Sequence, residues 1–498
     1  MRYLSLFFLI LLFAVPVMAQ EHQHGEHHPK EELGEVNFPI SCKPESQTEF
    51  NRAVALLHDF WYAEAEKTFS KITMDDPECG MAYWGIAMSN YHPIWAPPNE
   101  KEMTNGRTAA EKASAMSAKS DREKAYIAAI STFYKDSDKL NHAARAKKYE
   151  QEMQKVHQQN PEDQEAAIFH ALALLGTADI TDKTYAVQKQ AADLLNPLVE
   201  KAPNHPGIPH YIIHSFDYPP LAKLALPAAR SYAKIAPSSP HALHMPSHIF
   251  TRLGLWEESI QSNIASAEKA KNHVQKVLPG AGSFDQVHAM DYLVYAYLQL
   301  GEEGKAAQIA KEASAIQKLD VNNFAAAYAF AAMPARLALE RHRWKEAASL
   351  EVQPAWFPWE TFPHMEAITH FAVGIGAARS ADLEKARKAS DRLAAIHKTL
   401  EGKDPYWAKQ VQIQQKSVNA WITFAEGKKK EAVEQMREVS ALEDTTEKHA
   451  VTPGAILPAR ELLADMLLET NEPALAKAEF EKSLAIAPNR KHPSMHQF

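Results

Sequence analysis

From Glu45 onward, apolar residues recur at intervals of three and four, in segments rich in Ala, Leu, Glu and Lys broken at short distances by Pro or Gly. That period belongs to amphipathic helices, and the chain reads as all-α. Two stretches before it follow other rules. Arg2 precedes an apolar run, Leu4 to Val15, that ends in Pro16 and the small-residue site Val17-Met18-Ala19, the pattern of an export signal spanning residues 1–19. Residues 20–44 carry Glu21-His22-Gln23-His24-Gly25-Glu26-His27-His28 and no apolar period, so they are expected to form a flexible, histidine-rich segment.

The helical part repeats itself. Ala202-Pro203-Asn204-His205-Pro206 recurs 34 residues later as Ala236-Pro237-Ser238-Ser239-Pro240, and the same offset relates His210 to His244 and His214 to His248. Ala65, Phe69 and Pro77 have the spacing of a small inter-helix position, an aromatic position and a helix stop, and Ala476, Phe480 and Pro488 repeat it near the end. Tyr83-Trp84-Gly85-Ile86-Ala87, Leu253-Gly254 with Trp256, and Leu300-Gly301 with Ala306 mark further hairpins. In length and in these residues the chain resembles the tetratricopeptide repeat family, and within it the exported bacterial members.

The resemblance implies a right-handed superhelical solenoid of about nine or ten hairpins, with a concave groove that takes a protein or peptide ligand. The chain divides into N-terminal repeats at 45–200 with an irregular insert at 91–106, central repeats at 201–318, and C-terminal repeats with a cap at 319–498. Pro209, Pro246, Pro334 and Pro458 fall in or near first helices, which must start late or bend there.

Composition adds little to this outline and excludes some alternatives. Fifty-four basic residues stand against 62 acidic ones, a net charge of −8, and the two signs are mixed rather than blocked, which gives nucleic acid no basic surface. After the signal sequence, no apolar run is long enough to anchor the chain in a membrane. Cys42 and Cys79 flank the first hairpin; in an exported protein a disulfide between them is expected.

Histidine is the unusual component. With the inward positions of a helix facing the groove, His210 and His214 point inward from one repeat, His241, His244 and His248 from the next, and His288, Asp291 and Tyr295 from the one after. Pairs separated by four residues let two imidazoles reach one ion, and neutral imidazole suits zinc, copper, nickel or iron, with Asp291 completing or orienting the shell. His205 is placed to join from the preceding turn. Pro246 threatens the geometry between His244 and His248.

The groove continues through His58 and His92, Arg336, Glu366 with His370, and Glu461 with Asp465, as solvated positions suited to a peptide. His22, third from the mature N-terminus, is also placed to chelate copper or nickel. His210-Tyr-Ile-Ile-His214 and His244-Met-Pro-Ser-His248 lack the glutamate of a zinc peptidase helix. No phosphate loop or nucleophile elbow accompanies them. The sequence therefore points first to a binding scaffold outside the cytoplasm and second to a metal site in the central repeats.

Overall fold

Helices follow one another in pairs through the whole described chain, each packed on the next. The computed structural model describes residues 31–94, 96–116, 120–179 and 181–497. The expected signal sequence and the tail histidines His22, His24, His27 and His28 lie outside them. The first pair is Ser46–His58 with Tyr62–Asp75, the central ones include Gly207–Phe216 with Leu226–Ile235 and Phe284–Leu300 with Glu303–Ser314, and Ala459–Glu469 with Pro473–Ile486 is the last. The result is a tetratricopeptide-like helical solenoid. It has eleven pairs among the described residues, more than the repeat spacing suggested. Phe324–Leu339 is followed by a second helix of only one turn, Trp344–Ala348, in a stretch where the repeat signature is weak.

Local chemistry sets the helix ends. Asn99 and Glu102 form a capping box that starts Glu100–Ala115, so helix invades the span 91–106 that reads as an irregular insert. Gly301 closes Phe284–Leu300 at φ +80°, a left-handed conformation that glycine adopts without strain. Pro246 divides one first helix into Pro240–His244 and Pro246–Arg252, but Met245 between them keeps helical torsions, so the rod continues. Pro209 sits in the first turn of its helix, Pro334 lies inside Phe324–Leu339, and Pro458 precedes Ala459–Glu469.

First helices are buried nearly all round, while second helices such as Glu303–Ser314 bury one stripe. First helices stack on first helices and would line an open inner face, but three segments of the chain cover that face. Residues 32–44 are the first. They are not the free tail their polarity suggests, since Phe38 is fully buried against Phe50, Trp84, Tyr126 and Phe169, and Glu35 N–H donates to the Asn204 carbonyl at 2.9 Å.

The second is the irregular strap 445–458. Glu447 accepts from Lys183 at 2.7 Å and Tyr185 at 2.9 Å, and Lys448 donates to Asp217 at 2.7 Å. Tyr292 donates to the Val451 carbonyl at 3.1 Å, and Arg336 to the carbonyls of Gly454 and Ala455, each at 2.8 Å. The third segment, beyond Ile486, is held by Arg490 on Glu461 and by Trp256 on the Asn489 carbonyl.

Cys42 and Cys79 are joined as a disulfide across 37 residues. Closing a loop of that length constrains the unfolded chain by about 3–4 kcal/mol on the loop-entropy model. Replacing both cysteines by serine should lower stability by that order, read as a lower urea midpoint with helicity retained at zero denaturant.

Candidate metal centre

His210 and His214 lie one turn apart on Gly207–Phe216, His241 and His244 on Pro240–His244, His248 on Pro246–Arg252, and His288 on Phe284–Leu300. All six are buried. They form two trios, His210/His214/His241 and His244/His248/His288, in each of which one ring nitrogen per residue lies within 4.8 Å of the others. The solvated groove expected from the helix register is thus a packed interior: Phe60 packs against His210, His214 and His241, and the strap closes beside the second trio through Asp217 and Tyr292.

Hydrogen bonding fixes which nitrogens face inward. His210 Nδ1 meets the His58 carbonyl at 2.6 Å; a carbonyl only accepts, so Nδ1 carries the proton and Nε2 presents a lone pair. That lone pair faces His214 Nε2 at 3.1 Å and His241 Nε2 at 3.2 Å. In the second trio His244 Nδ1 is 2.7 Å from Asn263 Oδ1, and Asn263 Nδ2 donates to the Ser259 carbonyl, which orients the amide. His248 Nδ1 is 3.1 Å from the Asp217 carboxylate. Both residues therefore bear their protons on Nδ1, and their Nε2 lone pairs confront each other at 3.0 Å.

The Tyr292 hydroxyl, 3.3 Å from His248 Nε2, gives its proton to the Val451 carbonyl at 3.1 Å, and two lone pairs at 3.0 Å repel unless a cation lies between them. Nitrogens bound to one tetrahedral ion at about 2.0–2.1 Å stand roughly 3.3 Å apart. A carbonyl, an amide and a carboxylate on the outer nitrogens are the partners that orient imidazole ligands.

Electrostatics agree. Burial, reinforced by neighbouring imidazoles, pushes His210, His241, His244 and His288 well below the usual histidine range and His214 down to about 3. Burial also lowers His248, against the pull of Asp217. The six rings are neutral at physiological pH, the form that binds metal. Burial alone would raise Asp217, yet Lys448 and Arg252 hold it far below the carboxylate range.

The other expected site residues sort differently. Asp291 does not join the imidazoles: it faces Arg336 Nε at 3.6 Å, and burial lifts its pKa to about 7 against that arginine. Arg336, on Phe324–Leu339, holds the strap by its carbonyls, and Tyr295 receives a hydrogen bond from Arg490 at 3.2 Å. His58 and His205 grip Glu165 at 2.9 Å each, a closed network whose His58 carbonyl positions His210. His92 is separate from His58; it packs on Tyr62 and lies 3.9 Å from Glu102. Glu366 and His370 pair at 2.9 Å, with Arg392 on the same carboxylate.

Glu461 and Asp465 are buried rather than solvated. Arg490 holds Glu461, and His342 lies 3.2 Å from Asp465. Asp217, Asn263 and Glu165 escape a reading by repeat position. Asp217 lies just past its helix, Asn263 on a second helix, and Glu165 in a first turn where an acidic residue is ordinary.

Fold and site together define a tetratricopeptide-like helical-repeat protein with a buried polyhistidine core. No family model matches the chain, and no curated protein matches it. Among solved structures it is similar to the human IFIT1 dimer with m7Gppp-AAAA, at 10% identity over 81% of this chain and 89% of that one, TM-score 0.39. It is also similar to the P58(IPK) TPR domain, at 11% identity over 88% and 99%, TM-score 0.20. Naa15/Naa10 bound to HypK-THB shares 12% identity over 88% and 68%, TM-score 0.20. Likeness of this degree carries no information about function.

Proposed function

We propose that this is an exported helical-repeat metalloprotein whose central hairpins hold transition metal through the two histidine trios. The observation that carries it is the confrontation of His244 Nε2 and His248 Nε2 at 3.0 Å with both protons committed to Asn263 and Asp217. All-imidazole donors suit zinc, copper, nickel or iron. The export-signal pattern read in residues 1–19 and the Cys42–Cys79 disulfide support a place outside the cytoplasm.

Elemental analysis of tag-free protein from metal-supplemented medium tests the reading. At least one equivalent of transition metal is expected; less than about a tenth of an equivalent would sink it. His214→Ala with His248→Ala should abolish binding and leave the far-ultraviolet dichroism helical. Metal retained by that variant would place the ions elsewhere.

A scaffold that holds a protein or peptide is the second reading. What favours it is a cavity of about 910 Å³ beside Asn37, Arg122, Asp163 and Asn204. Asn37→Trp would fill part of it. A partner recovered from periplasmic extract by the wild type should then be lost, and equal recovery by both would count against this cavity.

A further inference from the structure

The two trios are neighbours. The rings of His214 and His248 approach to 6.4 Å and those of His241 and His244 to 6.3 Å, against 4.9 Å for His210 with His214 inside a trio. We infer that the six imidazoles form one dinuclear copper centre, each trio holding a copper(I) ion, with dioxygen as the ligand that bridges the pair. This rests on the metal-binding reading and deepens it.

Donor type and charge select the metal. The trios contain six neutral nitrogens and no carboxylate or thiolate, a set that disfavours hard oxygen-seeking ions and suits copper. Of the carboxylates near the trios, Asp217 is matched by Arg252 at 2.9 Å and Lys448 at 2.7 Å, and Asp291 faces Arg336 at 3.6 Å. Two divalent ions would bring four positive charges into this buried pocket, whereas two copper(I) ions bring two, and uncompensated buried charge is costly.

Dioxygen then oxidises the pair without changing that total. Each copper(I) gives up one electron, and dioxygen accepts both. The oxygen π bond is lost, the σ bond stays, and a copper–oxygen bond forms at each metal. The centre carries two positive charges before, as two copper(I), and two after, as two copper(II) with a peroxide dianion. No proton is required. A cavity of about 510 Å³ reaches Arg252 and Lys448, which grip the same Asp217 that holds His248.

The test is an anaerobic titration of the full mature protein with copper(I) against a chromophoric copper(I) chelator, followed by oxygen-electrode and electron paramagnetic resonance measurements on admitting air. Two equivalents of copper(I), one dioxygen consumed per pair, and a copper(II) signal below about a tenth of the bound copper are expected. Copper bound without oxygen uptake, or with the full signal of isolated ions, overturns the inference. Zinc retained without copper(I) overturns it and leaves the metal-binding reading standing, whereas no metal of any kind removes both. His241→Gln and His288→Gln each strip one ligand from one trio. Either should stop oxygen uptake altogether while dichroism stays helical, and uptake halved in either folded variant would show the trios to be independent.

Discussion

Asp217→Ala should destabilise the fold and, on the proposed metal-binding reading, weaken metal binding. The carboxylate is buried and serves three partners at once: His248 Nδ1 at 3.1 Å, Arg252 Nε at 2.9 Å and Lys448 Nζ at 2.7 Å. Removing it takes from two buried cations the one carboxylate they both contact, a change that costs about 3–5 kcal/mol in comparable sites. It also frees His248 to rotate or change tautomer, and loss of such an outer partner weakens metal binding by about 10- to 100-fold. Thermal denaturation of metal-free protein reads the first effect and competition with a chelator reads the second. An Asp217→Asn variant separates them, since an amide oxygen still accepts from His248 while the charge is gone. Unchanged stability in Asp217→Ala would mean that Arg252 and Lys448 find water or other acceptors there, and that the strap is held by its remaining contacts.

The second large effect is expected at Glu461, far from the histidines. Its carboxylate is fully buried, accepts from Arg490 at 2.7 and 3.1 Å and from Ser483 at 2.9 Å, and so fastens the last described segment to the final hairpin. Glu461→Ala takes away the carboxylate that Arg490 grips and leaves its buried guanidinium to Glu340 at 3.4 Å, with a loss of about 3 kcal/mol, the low end for a broken buried pair, and residues beyond Ile486 should become sensitive to limited proteolysis. Acid should mimic the substitution. Burial by itself would raise Glu461 and Asp465, but Arg490 and His492 beside the first, and His342 and His492 beside the second, hold both below the usual carboxylate range. A depressed carboxylate contributes stability that is fully present above its unfolded value, about 4, and is lost as pH falls through the lower folded value. The tail should therefore stay docked at pH 5 and be released well below pH 4. Release already at pH 5 would contradict the pairing.

The repeat itself was legible because it is local. A 34-residue offset and the spacing of Ala65, Phe69 and Pro77 depend only on how one hairpin packs, and the histidine positions followed from the same register. Pro246 did not disrupt the site, since Met245 keeps helical torsions and holds His244 and His248 in step. What the sequence hid is non-local. Nothing in residues 445–458 announces that their carbonyls will meet Tyr292, Tyr328 and Arg336, and nothing in the segment beyond Ile486 announces that Arg490 and Ser494 will cover Glu461, Asp465 and Tyr295. Phe38 was similarly obscured, one aromatic residue in a polar stretch that four aromatic side chains nonetheless enclose. Asp291 faces Arg336 rather than the imidazoles, and that pairing is hidden in the sequence because Arg336 comes from a different hairpin.

The strap also changes what kind of object the array is. In an open repeat protein each unit touches only its neighbours, so units can melt from an end or be gained and lost over evolutionary time with little effect on the rest. Here Lys183 and Glu447 are bonded although 264 residues apart in the chain, and Trp256 is bonded to Asn489 across 233. Deleting any hairpin between them would shift one end of each tie by a full repeat. The number of hairpins is accordingly fixed by closure, and the molecule should unfold as a single cooperative body rather than unravel.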